Sequence, residues 1–141
     1  MILYLETSDL VKLYVRESGS EKIMKLVAEA EVVATSIVAY AEARAALARK
    51  YREKGIAEAD YDLIKRDLDN DWERLFVIKL TDALVKSAGN LAEKWGLRGF
   101  DALHLSSALE LRRSIPPPVV FSSSDARLSE SAKREGLEAA R

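Results

Sequence analysis

The chain has 141 residues, a formal net charge of −1, a pI near 5.9 and 48% apolar residues. That length and apolar content suit one domain around one core. The near-neutral charge excludes a protein that coats nucleic acid by bulk attraction, so any such contact must use a local basic patch. No cysteine is present, which excludes disulfide scaffolds, Cys-type zinc sites and thiol nucleophiles and agrees with a reducing cytoplasm.

The start, MILYLETSDL, lacks a basic segment followed by a long apolar one, so it does not read as a signal peptide. No stretch is apolar enough for long enough to span a bilayer. Ile2–Leu5 is a short apolar run suited to a buried strand, broken by Glu6-Thr7-Ser8. Ser8 is the expected N-cap of a helix through Leu10, Val11, Leu13 and Tyr14, and Ser18-Gly19-Ser20 separates it from a second helix over Glu21–Glu29. Val32-Val33-Ala34 is the second strand, and Ser36 is the expected cap of a long Ala-rich helix that ends near Gly55. Ala57 to Trp72 predicts another helix, with Tyr61, Ile64 and Leu68 on one face.

Leu75–Ile78 is the third strand; Thr81 or Asp82 caps a helix stopped by Gly96. Arg98-Gly99-Phe100 reads as a connection, and Asp101 as the start of an apolar helix through Leu111. The proline triplet Pro116–Pro118 stiffens the lead into a fourth strand, Val119–Phe121. Asp125 starts a last helix that stops at Gly136, and Leu137–Ala139 adds an edge strand. Alternating strands and helices predict an α/β fold with a central parallel sheet of four to five strands covered on both faces, built as a single domain over residues 1–141.

Glu6, Glu42, Asp101 and Asp125 each lie in or beside a polar break that follows an apolar run. In an open parallel sheet such breaks fall on the carboxyl edge, where ligands bind. Four carboxylates gathered there repel one another unless protons or a cation intervene, and a hard divalent cation with oxygen ligands is the natural resident. Metal-assisted hydrolysis of a phosphodiester is therefore the leading hypothesis. Each acid also has a plainer reading. Glu6 suits a helix N-terminus, and Glu42, about two turns into its helix, suits a solvated face beside Arg49 or Lys50. Asp101 and Asp125 stand where helices are expected to begin, and Asp is a preferred cap.

His104, the only histidine, lies three residues after Asp101 and shares its helix face, so it can orient Asp101 or move a proton. A half-buried structural imidazole is the preferred reading. Ser8 and Ser123 are candidates to position water or phosphate, and Arg44 and Arg98 to hold a phosphate backbone near the cation. Arg49, Lys50, Arg52 and Lys54 read as a solvated helix end. There is no G-x-S-x-G, G-x-G-x-x-G or G-x-x-x-x-G-K-[ST], which disfavours serine hydrolases and dinucleotide or P-loop sites. A phospho-acceptor receiver is set aside because Ile78-Lys79-Leu80 offers no acceptor aspartate.

ETSDLVKLYVRESGSE resembles the opening of PIN-domain ribonucleases of the VapC toxin type, which usually start D-T-S followed by K-L-Y. TSIVAYAEARAAL is similar to their second acidic segment, LRGFDALHLSSAL to the third and FSSSDARLSESAKREGL to the closing one. The resemblance spans nearly the whole chain in order. It implies a three-layer α/β/α PIN-like fold and a Mg²⁺- or Mn²⁺-dependent endoribonuclease that cleaves RNA by metal-activated water. The acids carried over are Glu6, Glu42, Asp101 and Asp125, with Glu6 and Asp101 on the ion. It also implies a homodimer and a VapB-like antitoxin partner, while the absence of cysteine carries the expectation of a cytoplasmic setting.

One departure stands out: the family's first acid is nearly always Asp, and here it is Glu6. The extra methylene moves the carboxylate by about 1.5 Å, and Mg²⁺ tolerates little departure from octahedral geometry. A PIN-fold binding module that retains antitoxin or RNA binding without chemistry is the alternative. Asp9, three residues on, is expected to point elsewhere. Leu10, Tyr14 and the helix over residues 57–72 are candidates for a partner surface.

Overall fold

The structure, a computed structural model, describes residues 1–140. Strand β1 (Ile2–Leu5) is followed by helices α1 (Thr7–Val11) and α2 (Ser20–Glu29), then β2 (Val32–Ser36), α3 (Val38–Arg52) and α4 (Glu58–Trp72). The second half runs β3 (Phe76–Ile78), α5 (Asp82–Trp95), α6 (Gly99–Ser114), β4 (Val119–Ser122), α7 (Ala126–Arg134) and β5 (Glu138–Ala139). The strands form one sheet in the order β3-β2-β1-β4-β5, and every pairing is parallel. The result is a three-layer α/β/α fold.

All four residues of β1 are buried because the strand is covered on both faces. The two-residue period splits them. Ile2 and Tyr4 join a core with α5, α6 and α7, whereas Leu3 and Leu5 join one with α1 to α4. Burying side chains such as Leu5, Leu47 or Leu105 contributes about 1.5–3 kcal/mol each. The sheet reverses its order of growth at β1, which pairs with β2 on one side and β4 on the other. The segments leaving β1 and β4 therefore emerge side by side at a topological switch point, where a crevice forms in open α/β sheets. The Glu6 amide continues the ladder by donating to the Ser122 carbonyl at 2.9 Å.

Several expectations about helix ends are corrected. The first helix is capped by Glu6, whose carboxylate accepts from the Ser8 amide, and it ends at Val11. Helix α6 begins at Gly99 with extended Arg98 at its N-cap, so Asp101 sits in the first turn and is not the cap. Glycine is a poor helix former, but at the first helical position its cost is small beside the packing of the face that follows. Helix α3 begins at Val38, with Ser36 accepting from the Val38 amide at 3.3 Å, so Glu42 lies about one turn in. Thr81 caps α5, Gly96 closes it in the left-handed region with φ of 64°, and Asp125 caps α7, all as the sequence predicts. Leu10 is fully buried and unavailable as a partner surface.

Candidate active site

The switch point positions the acids. Glu6 leaves the carboxyl end of β1, and its side chain reaches across to the loop after β4. One carboxylate oxygen accepts from the Ser8 hydroxyl at 2.5 Å and the Ser123 hydroxyl at 2.6 Å, and the other accepts from the Ser8 amide at 3.2 Å. Ser8 Oγ in turn accepts from the Ser124 amide at 3.0 Å, and Ser123 Oγ from the Asp125 amide at 3.1 Å. Two serines thus knit the β1 and β4 ends together around Glu6. Asp125 accepts from the Arg127 and Leu128 amides at 2.9 and 3.2 Å, completing its cap with one oxygen and leaving the other free of those bonds.

Glu42 arrives from α3 and is held by α6 and α1. Its Oε1 accepts from the Thr7 hydroxyl at 2.6 Å and lies 2.7 Å from His104 Nε2. Burial by itself raises the proton affinity of Glu42, but the His104 and Thr7 bonds and the attraction of the imidazole outweigh it and hold the carboxyl below its ordinary value. An ionised carboxylate only accepts, so His104 Nε2 carries a proton toward it. His104 Nδ1 lies 2.8 Å from the Tyr4 hydroxyl, whose own proton affinity is driven well above 10.0 by burial, with the charges of Glu6 and Glu42 adding. His104 is therefore fully buried, not half-buried, and both ring nitrogens are engaged by residues other than Asp101. It orients Glu42.

Asp101, in the first turn of α6, takes no hydrogen-bond donor among the described residues. Burial raises its proton affinity, and the negative charges of Glu6 and Asp125 raise it further against the opposing pull of Arg98 and His104. Carboxylates from β1, α6 and the α7 cap thus share one field, although 95 residues separate Glu6 from Asp101. Arg98 and Asp101 line a cavity with Glu42. Arg44 donates to the Tyr40 hydroxyl at 2.9 Å, and Tyr40 donates to Asp69 of α4 at 2.5 Å, so its contacts run away from the acids.

The donor chemistry fits a hard cation: carboxylate oxygens carrying negative charge that their neighbours do not fully offset. Among the described residues, however, no three Asp, Glu or His side chains are placed to hold an ion between them. Glu6 is turned to its serines, Glu42 to His104 and Asp125 to the α7 amides, so an ion would have to compete with these donors. Asp101 is the acid with nothing to give up.

A PIN domain model matches residues 3–134. The chain belongs to the PIN-domain family. It is 34% identical to the Mycobacterium tuberculosis protein named Ribonuclease VapC45 over 139 residues, covering 99% of this chain and 94% of that one. Among solved structures, this PIN domain superposes on PAE2754 from Pyrobaculum aerophilum with a TM-score of 0.68 at 20% identity, covering 99% and 89% of the two chains. It also superposes on VapBC2 from Rickettsia felis, solved with a DNA fragment from its promoter, with a TM-score of 0.65 at 18% identity, covering 99% and 98%. These two likenesses establish the fold.

Sequence reasoning missed three residues at this edge of the PIN domain. Thr7 read as loop, yet it fixes Glu42. Tyr4 read as plain strand core, although a tyrosine hydroxyl in a buried strand demands a partner. Asp9 is only 4% exposed, accepting from Ser122 and Ser124 at 2.6 Å each and from Lys12 at 3.1 Å, on the same loop whose Ser123 donates to Glu6. Lys12 also contacts Ser124, so this group fastens the loop that carries Ser123 and Asp125. Among the described residues no helix is long and apolar enough to cross a membrane.

Proposed function

We propose that this PIN domain is an endoribonuclease of the VapC toxin type that hydrolyses RNA phosphodiesters with Mg²⁺ or Mn²⁺. The observation that carries the proposal is Asp101 itself, a partly buried carboxylate with no donor among the described residues, lining one cavity with Glu42 and Arg98 and raised in proton affinity by burial and by the charges of Glu6 and Asp125. The full-length similarity to a protein named Ribonuclease VapC45 supports the same chemistry. Glu6 and Asp101 are the residues that would hold the ion, with Asp125 beside them.

A bound divalent cation supplies neutralisation of the phosphodiester charge and lowers the proton affinity of water. The chain's own residues do the rest. Glu42, kept ionised by His104 and Thr7, is a hydrogen-bond acceptor that orients an attacking water at the edge of the acidic pocket. Arg98 supplies positive charge for the phosphate backbone beside Asp101. Ser8 and Ser123 hold Glu6 and shape the loop under the substrate. No side-chain nucleophile is needed.

A VapB-like antitoxin is the proposed partner, by likeness to the Rickettsia felis VapBC2 complex, together with a homodimer in the cytoplasm. We take residues 1–141 as a single domain, since one sheet draws strands from Ile2 to Ala139. Metal removal tests the mechanism. RNA cleavage is expected with added Mg²⁺ or Mn²⁺ and is expected to fall to background in EDTA; equal rates in both would remove the cation from the reaction.

The binding-module alternative rests on Glu6 alone and is not favoured, because the longer arm remains at the switch point. Glu6→Asp is expected to keep the cap to the Ser8 amide but withdraw the carboxylate from Ser123 by about 1.5 Å, lowering activity on the order of a hundredfold. Ser123→Ala added to that variant should cost little more, since the coupled bond is already lost. A tenfold gain from Glu6→Asp would instead mark Glu6 as a lesion in the site.

A further inference from the structure

Two features near the acids are unfavourable for a protein that merely folds. Phe100 is 58% exposed, the most exposed of the large apolar side chains. Gly89 lies inside α5, where glycine weakens a helix, and a Cβ built there meets nothing within 4 Å. Neither packing nor backbone conformation requires that glycine, since its φ is not among the positive values. Both residues line the same cavity of about 530 Å³, with Ala88, and that cavity is also lined by Glu42, Arg98 and Asp101. Its volume falls within the range of small-molecule sites, about 300–1,000 Å³. It joins an apolar slot with an aromatic rim directly to the charged groups proposed to handle a phosphodiester.

The geometry points to a seat for one unstacked nucleobase of single-stranded RNA, stacked on Phe100 in the slot left open by Gly89, with the adjoining phosphate toward Arg98 and Asp101. This rests on the ribonuclease reading and adds to it where substrate selection is made. A nucleotide unites a flat apolar face with an adjacent anion, and the lining repeats that division. Proteins that read single-stranded RNA splay bases out and stack them on aromatic and Arg planes. Phe100 is then a substrate-binding residue, and Gly89 acts by the space it leaves.

The test is binding of a fluorescein-labelled single-stranded RNA of mixed sequence by the Asp101→Asn chain, read by anisotropy, beside a matched strand of abasic riboses. Phe100→Ala should weaken binding of the ordinary strand roughly tenfold, and Phe100→Trp should restore it. Gly89→Leu should weaken binding to a similar extent by filling the slot while raising Tm, since a better helix former enters open space. Neither variant should alter binding of the abasic strand. Unchanged binding in both variants, equal weakening on the abasic strand, or no binding of either strand would overturn the seat. A change in molecular mass by light scattering with RNA binding intact would also overturn it, marking the face as a contact between copies of the chain. The two readings separate cleanly. Cleavage by the natural chain with normal Phe100 and Gly89 variants removes the seat alone, whereas base-dependent binding without cleavage in Mg²⁺ or Mn²⁺ removes the nuclease alone.

Discussion

Asp101→Asn is expected to abolish most RNA cleavage and, at the same time, to make the fold more stable. The loss of activity should be on the order of 10²–10³-fold, the cost of removing one preorganised charged group at a reaction centre. The gain in stability follows from the repulsion that Asp101 endures. Burial and the charges of Glu6 and Asp125 raise its proton affinity above the ordinary value of 3.8. An acid whose proton affinity is higher in the folded state favours folding while protonated, and that advantage is lost as pH rises through the folded value. Between the ordinary value and the raised one, wild-type stability should therefore decline with increasing pH at this site, and the Asn variant should lack that component. Thermal unfolding from pH 3.5 to 7, beside cleavage assays with Mg²⁺ or Mn²⁺, measures both effects. A variant that is inactive and less stable would contradict the repulsive field, and one that remains fully active would remove Asp101 from the site.

His104→Leu is expected to act in the opposite sense, by stranding partners. Tyr4 loses the acceptor or donor at 2.8 Å, and Glu42 loses the imidazole at 2.7 Å that offsets its burial. Breaking a fully buried pair costs about 3–5 kcal/mol. Glu42 retains 27% side-chain exposure, so water softens the loss to about 2–3 kcal/mol, a Tm fall of roughly 10 °C. His104→Gln offers an amide toward Glu42 and should recover part of the loss. The pH dependence identifies the cause. Glu42 is held below its ordinary value of 4.5, so its contribution is present above that value and is lost as pH falls through the depressed one. The leucine variant should therefore show a shallower acid limb below pH 4.5 than the natural chain. A parallel limb would mean that His104 serves packing alone.

Much of the fold was legible because it rests on local signals. The apolar runs at Ile2–Leu5 and Val119–Phe121, the cap at Thr81 and the stop at Gly96 each act within a few residues, and each falls at or within a residue of its predicted place. Boundaries slipped where tertiary packing outweighed propensity. Gly99 and Phe100 are helical because the apolar face after them is buried against the sheet, and Glu6 displaced Ser8 as a cap because the end of β1 fixes where the chain turns.

The sequence by itself determined that this chain is a parallel α/β domain and that Glu6, Glu42 and Asp125 belong near strand–helix junctions, because apolar period, capping chemistry and turn residues are read one segment at a time. Asp101 instead lies where α5 hands over to α6, with no strand between them. Only the tertiary structure decided how those acids differ. Asp101 is left without a donor, Glu6 is tied to Ser8 and Ser123, and Glu42 is ionised by a buried His104 that rests on Tyr4. Hydrogen-bond partners 97 to 117 residues apart are fixed by the packing of α6 and the β4 loop against β1, and no local rule specifies them.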